Sequence, residues 1–468
     1  MASNQSPSNS YSETISKPFR KNRDHPEYDT RGKKKFKLRD NDHSDLCHFH
    51  REHSLQFLKP YFFNFHSNAK ARWFDRSIID VTCTEFTSRS YEYYAKVINN
   101  GRLRLNGAKI TNVEVKVKNG DILTHLVHRH EPPVLTTPIE ILFKNEDMFV
   151  INKPSSIPVH PSGRYHFNTL LNILRLEYGF EDIFSVHRLD RLTSGIMIFA
   201  RNSKKSRQLS NFLQKREIEK EYVCLVNGKF PDSIMVNEPI KCVSHNIGVC
   251  QITCDKDEGK QSETYFQLLA FNGERSLLLC KPRTGRMHQI RVHLQHLGFP
   301  IVNDPIYNHP AWELPKYEKS KPMPPEKVEE MVKIFVKQID QQENTQNEPI
   351  IKESSVCKDI RPSKIADDHI MQYPLDYGGI NLTQTELQAI YAKLNPNPDD
   401  LCVDCHALKN IPQMSMFLHA LSYSSPDWEF RTKLPDWAQE FEFDTKSEYK
   451  DYIHIKEMKK EELPPSKQ

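Results

Sequence analysis

The residue best placed to do chemistry is Asp190, in the stretch FSVHRLDRLTSGIMIFAR that runs from Phe184 to Arg201. Arg188 and Arg191 flank it, and Thr193-Ser194-Gly195 follow before the apolar run Ile196–Ala200. A carboxylate set between guanidinium groups stays ionised and oriented, as a nucleophile must. On HRLD alone, a surface aspartate in a basic loop is an equal reading. A second chemistry-bearing pattern is Cys402-x-x-Cys405-His406, which has half the spacing of a zinc site. Cys357 and His419 are the further ligands it suggests, and a closed structural site needs four. No metal is expected on that count. The same five residues match a haem-attachment pattern, which the compartment opposes. There is no P-loop and no G-x-G-x-x-G, so no cofactor is expected either.

Composition narrows the setting. The chain has 468 residues, enough for two or three domains, but only 37% are hydrophobic, so part of the length reads as tail or insertion. A net charge of +4 does not argue for nucleic acid by itself. Its distribution says more, because Lys17 to Arg39 is strongly basic while Ala311 to Asp400 is acidic on balance. The ten cysteines show no disulfide framework and there is no secretory apolar segment, which implies reduced intracellular thiols. No apolar run is long enough to span a bilayer, so no membrane partner is expected.

The elements that must position Asp190 are legible in outline. Residues 1–71 read as a disordered basic tail and lead-in, with GKKKFKLR (Gly32 to Arg39) as a nuclear signal, an RNA-attracting arm or a solvated tail. Glu13, Asp24 and Glu27 weigh against a mitochondrial transit peptide. Residues 72–130 form a small domain: a helix over Arg89–Asn99, a strand at Arg102–Leu105, the turn Asn106-Gly107, and alternating Val113, Val115 and Val117. Residues 131–310 mix short strands with a few helices. A strand pair surrounds Asn145-Glu146-Asp147, a helix capped by Asn168 carries Leu170, Leu171 and Leu174, and a hairpin turns at Phe271-Asn272-Gly273. This predicts an α+β fold on an antiparallel or mixed sheet. Residues 311–400 read as a flexible acidic insertion and 444–468 as a charged tail.

HRLDRLTSG, EKEYV around Tyr222, TGRMHQIRVHL from Thr284 and NDPIY from Asn303 occur in the order of a specific motif set. Together they resemble the RluA family of RNA pseudouridine synthases, over about Arg72 to Asn308 and again over Leu401 to Phe443. The resemblance implies a pseudouridine synthase catalytic domain that is discontinuous, closed by a strand in MSMFLHALSYSS after the insertion. It also implies that INNGRLRLNGAKITNVEVKVKNGDIL is similar to an S4 domain, a small RNA-binding module preceding the catalytic domain. By this resemblance Asp190 attacks the ribose or otherwise assists glycosidic cleavage. Tyr222 stacks on the flipped base or takes part in proton transfer, and Arg291 pairs with Asp190. Arg188 and Arg286 contact RNA, while Lys96, Arg102, Arg104 and Lys109 supply phosphate contacts. Lys153-Pro154, Asp304 and Tyr307 match further family positions. Met287 departs from the usual threonine, which puts a local hydrogen bond in doubt. His187 and His288 read as hydrogen-bonded structural histidines.

The implied reaction breaks the uracil N-glycosidic bond, turns the base and rejoins it through carbon, with no redox change. The implied partner is RNA, tRNA first, with messenger or ribosomal RNA open and no obligate protein partner. The cytoplasm or nucleus is the expected compartment, with the mitochondrion left open. Two rival readings exist. A zinc-dependent pyrimidine deaminase needs H-x-E followed by P-C-x-x-C in one unit. Here His25-x-Glu27 and His50-x-Glu52 lie hundreds of residues from a C-x-x-C that follows Leu401, so that reading fails. A non-catalytic RNA-binding protein or RNA chaperone on the same fold is the alternative. Retention of Asp190, Tyr222 and Arg291 argues against it.

Overall fold

The structure is a computed structural model that describes residues 48–86, 89–244, 248–255, 258–316, 318–343, 382–406 and 410–439. The basic stretch Lys17–Arg39, Cys357 and the 444–468 tail lie outside the described residues.

Order begins earlier than the expected lead-in allows. Strands β1 (Phe49–Glu52), β2 (Leu55–Leu58) and β3 (Tyr61–Asn68) precede residue 71. Leu55, Phe57, Leu58 and Tyr61 are buried, an apolar cluster too dense to leave in water. Next come α1 (Ile78–Glu85) and α2 (Tyr91–Asn99), whose N-caps Ser77 and Ser90 accept from the Asp80 and Tyr93 amides. β4 (Leu103–Leu105), β5 (Ala108–Lys109) and β6 (Ile122–Arg129) complete a four-stranded sheet of order β3-β6-β4-β5. Trp73, Ile78, Tyr94, Val97, Ile98 and Leu123 form the core of this module. Val113, Val115 and Val117 do not form the strand their alternation suggests. The carbonyls of Val113 and Val115 accept from the Ile79 and Ile78 amides at 3.2 and 2.8 Å, satisfying donors that the start of α1 leaves without helical partners.

After β7 (Val134–Leu135), which pairs with β2, the chain builds its main sheet. The elements are β8 (Glu140–Lys144), β9 (Met148–Lys153), α3 (Leu170–Tyr178), β10 (Phe184–Ser185), β11 (Ser194–Ala200) and α4 (Ser203–Gln214). β12 (Glu219–Asn227), β13 (Ser233–Val236), a separate hairpin of β14 (Ile240–Ser244) and β15 (Val249–Ile252), β16 (Thr264–Phe271), β17 (Arg275–Pro282) and α5 (Gln289–His296) follow. The N-cap of α3 is Thr169, one residue later than the sequence suggests, because Asn168 is engaged by Gln56, Glu131 and Pro132 instead.

The stretch expected to flex holds two packed helices within its described part. α6 (Pro325–Glu343) buries Val328, Met331 and Phe335 against Trp312 and Val249. α7 (Gln384–Leu394) begins with a capping box of Thr383 and Glu386 and sets Leu387 and Ile390 against Leu55 and Phe57. Apolar residues three and four apart drive both helices, in α6 beneath a Lys/Glu-rich composition. Residues 344–381 lie outside the described residues. Past the short α8 (Val403–His406), β18 (Leu418–Ser425) enters the main sheet, followed by β19 (Trp428–Arg431) and α9 (Asp436–Gln439).

The main sheet has the order β13-β16-β17-β12-β18-β11-β9-β8, with β10 and β19 pairing beside β11 and β18. Among the described strands only β11 and β18 run parallel, at Ser194↔His419 and Gly195↔Ala420. That junction needs Gly195. Its φ is +108°, and a Cβ there would lie 2.2 Å from the Ala420 carbonyl oxygen and 2.6 Å from its nitrogen, both rigid backbone. Gly195→Ala is expected to cost at least about 2 kcal/mol through backbone strain and overpacking. Urea unfolding checks this, and a variant as stable as wild type would show that the junction yields.

Candidate active site

Four pairings put the site on one row of the sheet. Cys280 faces Tyr222, Tyr222 faces Ala420, Ala420 faces Gly195, and Gly195 faces Lys153. Side chains in register on neighbouring strands share a face, so Tyr222 and Lys153 bracket the loop that carries Asp190. The loop is pinned from below by Lys153, which is fully buried. Its ammonium donates to the carbonyls of Pro154 (2.8 Å), Arg191 (3.2 Å) and Thr193 (2.9 Å), using all three donors. The Thr193 amide closes the turn onto the Asp190 carbonyl at 3.1 Å.

The cation that holds Asp190 is not a sequence neighbour. Arg191 donates to the Gln413 carbonyl (2.9 Å) and lies over the Tyr165 ring, and Arg188 is exposed. Arg291, on α5, reaches Asp190 Oδ2 with Nη1 at 3.0 Å. Its other two donors fork onto Asp304, Nε to Oδ2 at 2.6 Å and Nη2 to Oδ1 at 2.8 Å. The Arg291 and Asp304 side chains are 4% and 0% exposed, while Asp190 keeps 23%. Asp304 is itself fixed by the Ile306 and Tyr307 amides, both at 2.9 Å. The Tyr307 ring lies 5.0 Å from the Arg291 guanidinium carbon. Asp304 thus locks the arginine in place and leaves one guanidinium edge for Asp190.

Burial raises the Asp190 pKa, but His288, Arg291 and Arg188 together outweigh it and bring the carboxyl below its ordinary value. His288 Nε2 is 3.5 Å from Asp190 Oδ2, and its Nδ1 is 3.0 Å from the Tyr307 hydroxyl. Burial lowers His288 to about 4, so at neutral pH it is an uncharged neighbour and Arg291 is the standing counter-ion. His288 also holds a left-handed backbone (φ +56°) at the entrance to α5, a strained position that brings its ring to the carboxylate.

Tyr222 is buried, and its hydroxyl lies 2.5 Å from that of Tyr423. Burial raises its pKa to about 12, with the Asp190 charge adding to the rise. It therefore offers a neutral ring and a protonated hydroxyl, not a phenolate. Tyr423 packs in turn on His187, whose Nε2 accepts from the Ile198 amide at 3.1 Å. Burial keeps His187 neutral, with a pKa near about 3.

The remaining sequence-selected residues divide. Arg286 is exposed at the lip, its Nε donating to the Gln261 carbonyl at 3.0 Å. Lys96 and Lys109 are exposed on the N-terminal module. Arg102 is not a free phosphate contact: it forks onto Asp399 at 2.6 and 2.8 Å and lies over Phe62. Arg104 donates to the Gly101 carbonyl at 3.0 Å and is half-buried. His419, a suggested metal ligand, bridges Ser194 and Thr432 inside the main sheet. Three residues acquire roles beyond the sequence reading. Asp304 orients Arg291, His288 touches Asp190, and Tyr423 pairs with Tyr222. The NDPIY and TGRMHQIR motifs were the available signal for the first two.

This geometry suits chemistry that needs an ionised carboxylate beside a neutral aromatic face. A family model described as RNA pseudouridylate synthase matches residues 147–296. Pseudouridylate synthase RPUSD2 of Mus musculus is 38% identical over 407 residues, covering 84% of this chain and 73% of that protein. The chain belongs to the RluA family of RNA pseudouridine synthases. It is an isomerase acting on RNA. RNA pseudouridine synthase 7 of Oryza sativa subsp. japonica is 33% identical, covering 82% of this chain and 90% of the relative. The mitochondrial tRNA pseudouridine(32) synthase of Saccharomyces cerevisiae is 44% identical over 255 residues, 54% of each chain. The matched segment of the synthase contains Asp190, Tyr222 and Arg291. Asp304, Tyr307 and β18 come from beyond it.

Two outcomes are expected at this site. Arg291→Ala leaves Asp304 buried and uncompensated, which should cost about 3–5 kcal/mol in denaturant unfolding. A loss under about 1 kcal/mol would mean Asp304 finds another partner. The pH dependence follows from the depressed Asp190 pKa. Its ionic contact contributes fully above the unfolded carboxylate value and is lost as pH falls through the lower folded value. Single-turnover rates should therefore show no Asp190 titration between pH 8 and about 5. An acid limb centred above pH 5 would show that the carboxylate is not held ionised.

Proposed function

We propose that this synthase converts uridine to pseudouridine in the anticodon stem-loop of tRNA, at or beside position 32. The observation that carries the chemistry is the Arg291–Asp190 contact, which leaves a partly exposed, ionised carboxylate whose charge is felt at Tyr222. In this reading Asp190 acts on the ribose anomeric carbon, or otherwise assists, while the N1–C1′ bond breaks. The base turns, a C5–C1′ bond forms, and the C5 proton is given up as N1 gains one. Arg291 keeps Asp190 ionised and aimed. Tyr222 supplies a stacking face for the extruded base, a role that its neutral, tyrosine-bonded hydroxyl favours over that of a base. Arg188 and Arg286, both exposed, hold RNA backbone near the opening.

Support for tRNA comes from two yeast relatives named tRNA pseudouridine(32) synthase, mitochondrial, and tRNA pseudouridine(31) synthase. The N-terminal module serves as an S4-like RNA platform, with Lys96 and Lys109 outward and Arg104 close behind. Arg102 acts there as a structural link. Among the described residues no helix is long and apolar enough to cross a membrane. The enzyme works in this reading on the tRNA of the cytoplasm or nucleus, with the organelle of the mitochondrial relative as the alternative.

Pseudouridine mapping of total RNA from cells carrying wild-type or Asp190→Ala protein tests this directly. Sites in tRNA anticodon arms should disappear in the variant. Loss confined to messenger or ribosomal RNA would move the substrate elsewhere, and unchanged maps with persistent RNA crosslinking would favour a binding protein. Tyr222→Phe should keep more than roughly a tenth of the single-turnover rate and Tyr222→Ala far less, as stacking requires. Equal losses would assign the hydroxyl to proton transfer.

A further inference from the structure

His128 and His130, at the end of β6, meet Cys402 and Cys405, at the start of α8, with one ligand atom from each within 4.8 Å of all the others. Cys405 Sγ lies 3.2 Å from His128 Nδ1 and 3.3 Å from His130 Nε2. A tetrahedral zinc with ordinary Zn–S and Zn–N bonds spaces its ligands about 3.3–3.8 Å apart. His128, His130 and Cys402 are buried. We infer that these four residues form a structural zinc site joining the N-terminal module to the segment that leads into β18.

Each part of the chain contributes for a physical reason. Alternate residues of an extended strand face one way, so His128 and His130 present both imidazoles to one point. The rings stand nearly perpendicular, at 84°, with centroids 4.9 Å apart. On the other side, Cys402-x-x-Cys405 forms a tight turn in which the Cys405 amide donates to the Cys402 carbonyl at 3.0 Å. The Asp399 amide (3.2 Å) and the Asn395 side-chain amide (3.3 Å) both donate to Cys405 Sγ. Two N–H donors and two imidazoles around one sulfur exceed what a neutral thiol satisfies, and suit a metal-bound thiolate with its outer-shell hydrogen bonds. Two thiolates also cancel the charge of a divalent ion in a buried site. Two sulfur and two nitrogen donors select zinc over the oxygen-seeking magnesium and calcium. The surroundings are built as a junction: Arg102 forks onto Asp399, and Asp404 receives Arg164 and Arg89 at 3.4 and 3.5 Å.

The test is metal content of the full-length chain, expressed with zinc and purified under reductant without chelator. Mass spectrometry should find about one zinc per chain, as a four-ligand site requires. Cys402→Ser/Cys405→Ser and His128→Asn/His130→Asn should each fall below about a tenth of that, while Cys83→Ser/Cys254→Ser keeps it. Because the variants could unfold, two measurements use the wild type. Cobalt exchange should give the thiolate-to-metal charge-transfer band and strong visible absorption of a tetrahedral site. Cys402 and Cys405 should resist alkylation until a chelator is added. A metal-free wild-type chain, an octahedral cobalt spectrum, alkylation indifferent to chelator, or a resting Cys402–Cys405 disulfide would each overturn the assignment.

Discussion

Everything at the centre of this enzyme depends on one guanidinium shared between two carboxylates. Arg291 is bound bidentately by fully buried Asp304 and offers its remaining edge to partly exposed Asp190. A buried ion pair of this kind is a weak source of net stability, since desolvating both charges offsets most of their attraction. Its use here is directional. Asp304 fixes the arginine before RNA arrives, so Asp190 meets a preorganised positive charge and needs no rearrangement to stay ionised. Burial alone separates the two aspartates: Asp304 is sealed as an anchor, while Asp190 stays partly open to solvent.

The sheet supplies the matching rigidity. Lys153, Tyr222 and Gly195 lie on one row of paired strands, and the close β11–β18 approach at Gly195 starts only five residues after Asp190. A loop in that position inherits the precision of a sheet while the Asp190 carboxylate at its tip keeps partial exposure. Lys153 completes the arrangement by tying three loop carbonyls to one buried ammonium.

How much of this was legible depended on whether the signal was local. Asp190, Tyr222 and Arg291 sit in dense local motifs, and a motif carries its residues even when their partners are remote. The counter-ion lies far from Asp190 in sequence, and the family resemblance alone named Arg291 for it. Arg188 and Arg191 are adjacent in sequence, yet Arg291 makes the contact, because a tight turn splays its neighbours outward while a helix across the sheet points inward. The same limit hid two members of the His/Cys group: the histidines precede Cys402 by more than 270 residues. Composition misled in the other direction. The polar majority of the Lys/Glu-rich segment carrying α6 argues for a flexible insertion, whereas a few spaced apolar residues decide whether a segment packs. Arg102 looked like a phosphate ligand because charge is visible in a sequence, and its partner Asp399 is not.

The position of β18 has a consequence for the order in which the molecule comes into being. It lies between β11 and β12, so the two halves of the sheet have no direct ladder between them until residues 418–425 are available. A ribosome must make the chain through β18 before the row from Tyr222 to Lys153 exists. During that interval two apolar strand edges stand open, the kind of template that invites wrong pairing. The row that carries the site is therefore a late product of synthesis, and a chain cut short before that strand lacks the link between Tyr222 and Gly195.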